Sequence, residues 1–183
     1  DLAGLGITRV GDHTDLDVIG IPVWFASRPN ARGLAVAQGK GLTAEQARIS
    51  AVMESIETVY AERCETLVTE VGSLHELQRR GREAVEFARL LRCAGETIDP
   101  DRERGWVVGR RWTDDATVYA PYELVGIDYR DGVGWDHAAF HMSSIGLAAH
   151  VDRDRAVLHA LLEVIENDAT AAVEVFGLTE RLI

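Results

Sequence analysis

One acidic helical pattern occurs twice in this chain, and it constrains the fold more than any other feature. The first copy is Ala47-Arg48-Ile49-Ser50-Ala51-Val52-Met53-Glu54-Ser55-Ile56-Glu57. The second is Ala156-Val157-Leu158-His159-Ala160-Leu161-Leu162-Glu163-Val164-Ile165-Glu166. Both keep two alanines, two glutamates three residues apart and an isoleucine between them. At about 100° per residue, Ile49, Met53, Ile56 and Tyr60 fall in one stripe, and Ser50, Glu54 and Glu57 in a second, roughly a quarter turn away. In the later copy Leu158, Leu162, Ile165 and Ala169 form the first stripe, and His159, Glu163 and Glu166 the second. The apolar stripe is expected to face the core, with the carboxylates along its border. Partly desolvated like charges raise each other's pKa, and a divalent cation removes that penalty. Carboxylate oxygens are hard ligands suited to Mg²⁺ or Ca²⁺. Mg²⁺ usually shares a few carboxylates with substrate phosphates, which couples these helices to a nucleotide. Single ExxE pairs are common on solvated helices; the repeat in equal phase makes this pair a metal candidate.

Lys40 is the candidate phosphate partner. Gly39-Lys40-Gly41 precedes a helix N-terminus, where free N–H groups favour anions. It is not a Walker motif, and a plain strand-to-helix turn explains it as well. Net charge is −11, which argues against a sequence-independent nucleic-acid binder. No apolar window is long enough for a membrane helix, and nothing at the N-terminus reads as a signal peptide. Cys64 and Cys93 form no CxxC, and read as buried or free thiols in a reducing cytosol before a disulfide or a catalytic thiol. The 183 residues suit one α+β domain, and the opening Asp1 suggests part of a longer protein.

Local signals predict the elements. Residues 1–18 read as irregular. Ile19–Ser27 and Gly33–Gln38 read as a strand hairpin. Thr43 and Gln46 form a capping box that opens a helix from Ala44 to about Arg63; Ser73 and Glu76 open a second, to about Leu91. Trp106–Trp112 and Thr117–Ala120 pair around an Asp114-Asp115 turn. Ile127–His137 is a loop, Phe140–Ala149 a strand or strand-loop, and Arg153–Phe176 the last helix. The four tryptophans read as core or interface. His137 and His141 lie on loop or strand, so a helical metal pair is disfavoured. Ser143 and Ser144 lack a nucleophile context and read as backbone-capping or nucleotide-contacting hydroxyls. Arg9 is equally a phosphate contact or a surface arginine.

Together these residues resemble the YcaO family, in the branch often paired with TfuA proteins. The resemblance rests on GITRVGDHTDLDVIGIPVWFASRPNARGLAVAQGKGLTAEQARISAVMESIE, on MSSIGLAAHVDRDRAVLHALLEVIENDA and on YAPYELVGIDY. It implies a YcaO-like ATP-binding α+β fold, a β-sheet packed by long helices that bear the two ExxE motifs. It implies ATP and Mg²⁺ as cofactors, with Glu54, Glu57, Glu163 and Glu166 as metal ligands. Lys40, Ser50, Ser144, His159 and Arg9 are the expected ATP contacts, with His159 where many relatives carry Gln. The implied reaction phosphorylates a peptide backbone amide oxygen, which a Cys, Ser or Thr side chain or sulfide then replaces, giving an azoline or a thioamide. Implied partners are a peptide or protein substrate, a TfuA-like protein and a second copy of the chain, in the cytoplasm, with no nucleic acid and no membrane. The chain departs from the family at Ile145, where relatives carry Asn, at Asn167, where they carry Arg, and at His150, where Gly is common. Losing two polar groups near triphosphate is expected to weaken nucleotide binding. An upstream segment and the C-terminal half of the family are expected to lie outside residues 1–183. A degenerate or truncated domain that binds without catalysis is therefore the alternative. A helical di-iron carboxylate protein needs His three residues after a glutamate, and neither repeat has it.

Overall fold

The computed structural model describes residues 1–86, 90–92 and 97–177. The chain divides into two compact units. The first holds Asp1–Pro29, Val36–Glu57 and Ser144–Ile183; the second holds Asn30–Ala35 and Thr58–Ser143.

In the first unit, β1 (Arg9–Asp12), β2 (Val23–Ser27) and β3 (Val36–Lys40) form an antiparallel sheet in that order. Arg9 pairs with Ser27, and Val23 with Lys40. The expected hairpin is there, but β1 was not expected; residues 1–18 read as irregular because a four-residue strand carrying Gly11 gives no periodic signal. Helix α1 (Ala44–Ala61) starts where the capping signal places it. Thr43 accepts from the Gln46 N–H at 3.2 Å, while the Gln46 side chain reaches the Leu42 N–H at 3.0 Å. The reciprocal bond is thus made one residue earlier than the capping box predicts.

The buried face of α1 corrects the expected one. Ala47 and Ala51 are fully buried, with Ser55 and Val59 following on the same side. Ile49 and Tyr60 are about half exposed, at 52% and 54%. The reason is Gly39 on β3. A Cβ there would fall inside the backbone of Ala47 and Ala51, so strand and helix touch backbone to backbone. Small residues permit that approach, and Ile49 and Tyr60 are turned away. Ile7, Ala26 and Ala51 form the core, with Trp24 and Ile56 packed against it.

Helix α4 (Arg153–Phe176) repeats this arrangement. Its boundaries match the sequence expectation, with Asp152 accepting from the Arg155 N–H at 2.9 Å. Ala156, Ala160, Glu163 and Asn167 are half-buried, whereas Leu158, Leu162 and Ile165 are more than half exposed. The alanines conserved between the two copies, not the leucines, mark the packed side. No helix among the described residues is long and apolar enough to cross a membrane.

The second unit holds a short helix α2 (Cys64–Leu67), β4 (Val68–Gly72), α3 (Leu74–Arg79), β5 (Arg104–Arg110) and β6 (Thr117–Pro121). Its sheet is antiparallel in the order β4-β5-β6. The β5–β6 pairing follows expectation, Arg110 opposite Thr117 and Asp115 at the turn with φ 56°. Strand β4 was not foreseen. The Ser73–Glu76 capping box forms in full, at 3.2 and 2.8 Å. The helix it opens is much shorter than expected, because Gly81 (φ 71°) takes the left-handed conformation that ends helices. Glu83 and Val85 then bond to Tyr119, each at 2.8 Å. Of the expected helix, residues 80–86 and 90–91 are not helical, and 87–89 lie outside the described residues, as does Cys93. Cys64 is a free thiol. Trp106 is fully buried and the Trp135 ring lies tilted against buried Tyr122, centroids 4.5 Å apart, whereas Trp112 is 77% exposed and belongs to no core.

Candidate functional site

The close approach of β3 to α1 carries the chemistry of the first unit. It brings the Gln38 backbone N–H onto the Glu54 carboxylate and Lys40 into its electrostatic range. The segment before α4 was expected as a strand or strand-loop and is a loop. Its amides serve side chains instead of a neighbouring strand: Ala149 N–H donates to Glu57 at 2.7 Å, and Gly146 N–H donates to Glu163 at 3.0 Å. One glutamate from each copy of the repeat thus pins the same loop.

Three of the four predicted carboxylates share one electrostatic environment. Burial raises the Glu54 carboxyl above its ordinary value, Glu163 adds to the rise, and the Gln38 N–H and Lys40 oppose it. Burial likewise raises Glu57, with Glu54 and Glu163 adding; the Ala149 N–H and His159 oppose. Lys40 and His159 are the basic side chains beside the group. Ser50 is half-buried on α1, beside the point where Gly39 touches the helix. No hydrogen bond or ion pair among the described residues ties Glu166, Ser144 or Arg9 to the group. Glu166 is exposed on α4. The Ser144 carbonyl closes a turn with the Leu147 N–H at 2.9 Å. Arg9 lies on β1 with its guanidinium 5.5 Å from the centre of the Phe25 ring. Asn167 turns its amide back to the Glu163 carbonyl at 2.9 Å, within its own helix.

Among the described residues, no three His, Cys, Asp or Glu side chains stand close enough together to hold a metal ion. Their oxygens nonetheless fit Mg²⁺ in kind, since that ion keeps its waters and needs only one or two protein carboxylates beside phosphate. Sequence reasoning missed the backbone donors at Gln38, Gly146 and Ala149. The one usable signal was the Ala-x₃-Ala spacing opposite Gly39, which announces close backbone packing.

The Glu54 environment makes a stability prediction. Its folded pKa lies above the unfolded value near 4.5, so ionisation disfavours the fold and the penalty is complete once pH exceeds the folded pKa. Glu54→Gln is expected to raise the melting temperature at pH 7 without Mg²⁺, and the gain should vanish as pH falls through the folded pKa toward 4.5. Thermal melts at pH 7 and pH 4 read this directly. A variant less stable than the parent at pH 7 would show that the cluster is not under charge strain.

The chain matches the family described as YcaO cyclodehydratase, ATP- and Mg²⁺-binding, over residues 38–182. It is 39% identical over 173 residues to an uncharacterized protein in the tfuA 3′ region of Rhizobium leguminosarum bv. trifolii. That match covers 94% of this chain and 40% of the relative, so the chain spans well under half the relative's length. The structure of YcaO from Methanopyrus kandleri bound with AMPPCP and Mg²⁺ superposes with a TM-score of 0.69 at 30% identity, covering 94% of this chain and 41% of that one. A heterocyclase in complex with substrate and cofactor gives a TM-score of 0.65 at 19% identity, over 86% of this chain and 24% of that one, a likeness of fold alone.

Proposed function

The chain belongs to the YcaO family, and we propose that it forms part of an ATP- and Mg²⁺-dependent site that activates a peptide backbone amide by phosphorylation. The observation that carries this reading is the convergence of Glu54, Glu57 and Glu163 with Lys40 and His159 in one electrostatic group. The family binds ATP and Mg²⁺, and a solved relative holds AMPPCP and Mg²⁺.

On this reading Glu54 and Glu57 from α1 and Glu163 and Glu166 from α4 are the proposed metal ligands, each Mg²⁺ taking one or two of them beside phosphate oxygens. Bound Mg²⁺ neutralises phosphate charge, which phosphoryl transfer requires more than any covalent help. Lys40 supplies a cation beside Glu54, and Ser50, Ser144, His159 and Arg9 are the proposed nucleotide contacts. Glu57 and Glu163 hold the 144–150 loop by its amides, which orients that loop for an incoming ligand. The Glu54 and Glu57 carboxyls are raised first by burial and second by the neighbouring carboxylates, and a bound cation offsets both costs. A Cys, Ser or Thr side chain or sulfide would then bond to the amide carbon as the C–O bond breaks and the activated oxygen leaves as inorganic phosphate. The relative in the tfuA region supports a TfuA-like partner, and the resemblance to TfuA-paired proteins implies the thioamide route. A homodimer in the cytoplasm that acts on a peptide or protein completes the proposal.

A second reading, binding without turnover, is favoured by Asn167. Its amide is committed to the Glu163 carbonyl, where the resemblance implies an arginine free to meet phosphate.

Calorimetric titration with ATP, with and without Mg²⁺, tests both. Metal-dependent binding is expected, weakened by roughly tenfold or more in Glu54→Gln and in Glu163→Gln, the loss set by one charge-assisted contact. Binding that both variants retain would remove the carboxylates from the site. Binding without ATP hydrolysis in the presence of a peptide substrate would favour the second reading.

A further inference from the structure

A cavity of about 290 Å³ opens in the second unit beside β4 and β5, walled by Val68, Val71 and Trp135. Four charged side chains line it, the exposed Glu65 and Glu103 at its rim and the buried Arg104 and Glu123, which are 4% and 2% exposed. Each of the buried two is held on one side only. Arg104 Nη1 donates to Asp136 at 2.6 Å, and Glu123 Oε1 accepts from the Asp136 N–H at 2.8 Å. Asp136 also faces Arg102 at 3.2 Å, so its charge is already matched. Among the described residues, Nε and Nη2 of Arg104 and Oε2 of Glu123 are buried without a partner. Unpaired buried polar atoms are costly, and native structures rarely keep them without a purpose.

The chemistry of these atoms selects a ligand. Nε and Nη2 form one edge of the guanidinium, a fork of parallel donors that suits an oxygen acceptor. The free Glu123 oxygen needs a donor. An anion would satisfy the fork but meet the Glu123 carboxylate with acceptors only. A cation would satisfy Glu123 but face Arg104 with donors only. A neutral amide carries a carbonyl oxygen and an N–H on adjacent atoms, and a small aliphatic group attached to it matches the valine and tryptophan walls. We propose that this cavity binds a neutral amide, its carbonyl accepting from Arg104 and its N–H donating to Glu123. The site lies wholly in the second unit and does not depend on the carboxylate cluster of the first.

NMR titration of the intact chain with isobutyramide, N-methylisobutyramide and isobutyrate tests this. The Trp135 indole and Arg104 Nε–H signals should shift with the amides and not with isobutyrate. Stronger binding of isobutyramide would identify a primary carboxamide as the natural group; stronger binding of N-methylisobutyramide would identify a peptide bond. Glu123→Gln keeps an acceptor for the Asp136 N–H and converts the free acceptor into a donor. The variant should melt with the parent, lose amide affinity by tenfold or more, and gain isobutyrate binding. The proposal is overturned if neither amide binds, if isobutyrate binds the parent as well as the amides do, or if Glu123→Gln leaves the preference unchanged.

Discussion

Gly39→Ala is expected to cost the fold roughly 3 kcal/mol or more, at the upper end of overpacking effects. The added methyl would enter the backbone of Ala47 and Ala51. A side chain could turn aside; a helix backbone locked in its own hydrogen bonds cannot. Relief therefore requires β3 and α1 to separate. That separation also withdraws the Gln38 N–H and Lys40 from Glu54. Metal-dependent ATP binding should fall together with stability, although residue 39 carries no functional group. Urea denaturation gives the stability change and calorimetry the binding. A loss below about 1 kcal/mol would mean that strand and helix approach less closely than described.

Trp106→Ala should cost about 3–5 kcal/mol, the range for emptying a buried large aromatic site. Trp106 is fully buried, and its indole N–H donates to the Gly72 carbonyl at 2.9 Å. Its neighbours are Leu77 and Tyr119, so α3 and β6 lose their common contact with it. Trp106→Phe keeps much of the packing and loses the hydrogen bond, so it should fall between the parent and the alanine variant. Trp112→Ala is the control, expected within about 0.5 kcal/mol of the parent because that ring is 77% exposed. Equal effects at Trp106 and Trp112 in denaturant melts would sink this account of the second core.

Local chemistry was legible where a few neighbouring residues decide it. Ser73 and Glu76 announced their cap, and the Asp114-Asp115 turn the pairing of β5 with β6. The YcaO resemblance was legible for a related reason: residues around both acidic repeats recur in a recognisable order. Features that depend on distant partners were not legible. Strand β1 exists because β2 pairs with it, and the 140–149 segment fails to form a strand because Glu57 and Glu163 take two of its amides.

The buried faces show the division best. Residue identity alone established two helices that carry alanines, large apolar residues and glutamates in the same phase, and so placed the glutamates together on one ledge of each. It could not say which neighbouring stripe is buried, because burial depends on how closely another backbone can approach. Gly39 allows contact at the backbone, and that choice buries Ala47 and Ala51 and turns Ile49 outward. The same contact brings the Gln38 amide and Lys40 to Glu54, while the loop before α4 meets Glu57 and Glu163. Spacing along a helix sets which side chains share a face; only packing sets what that face meets.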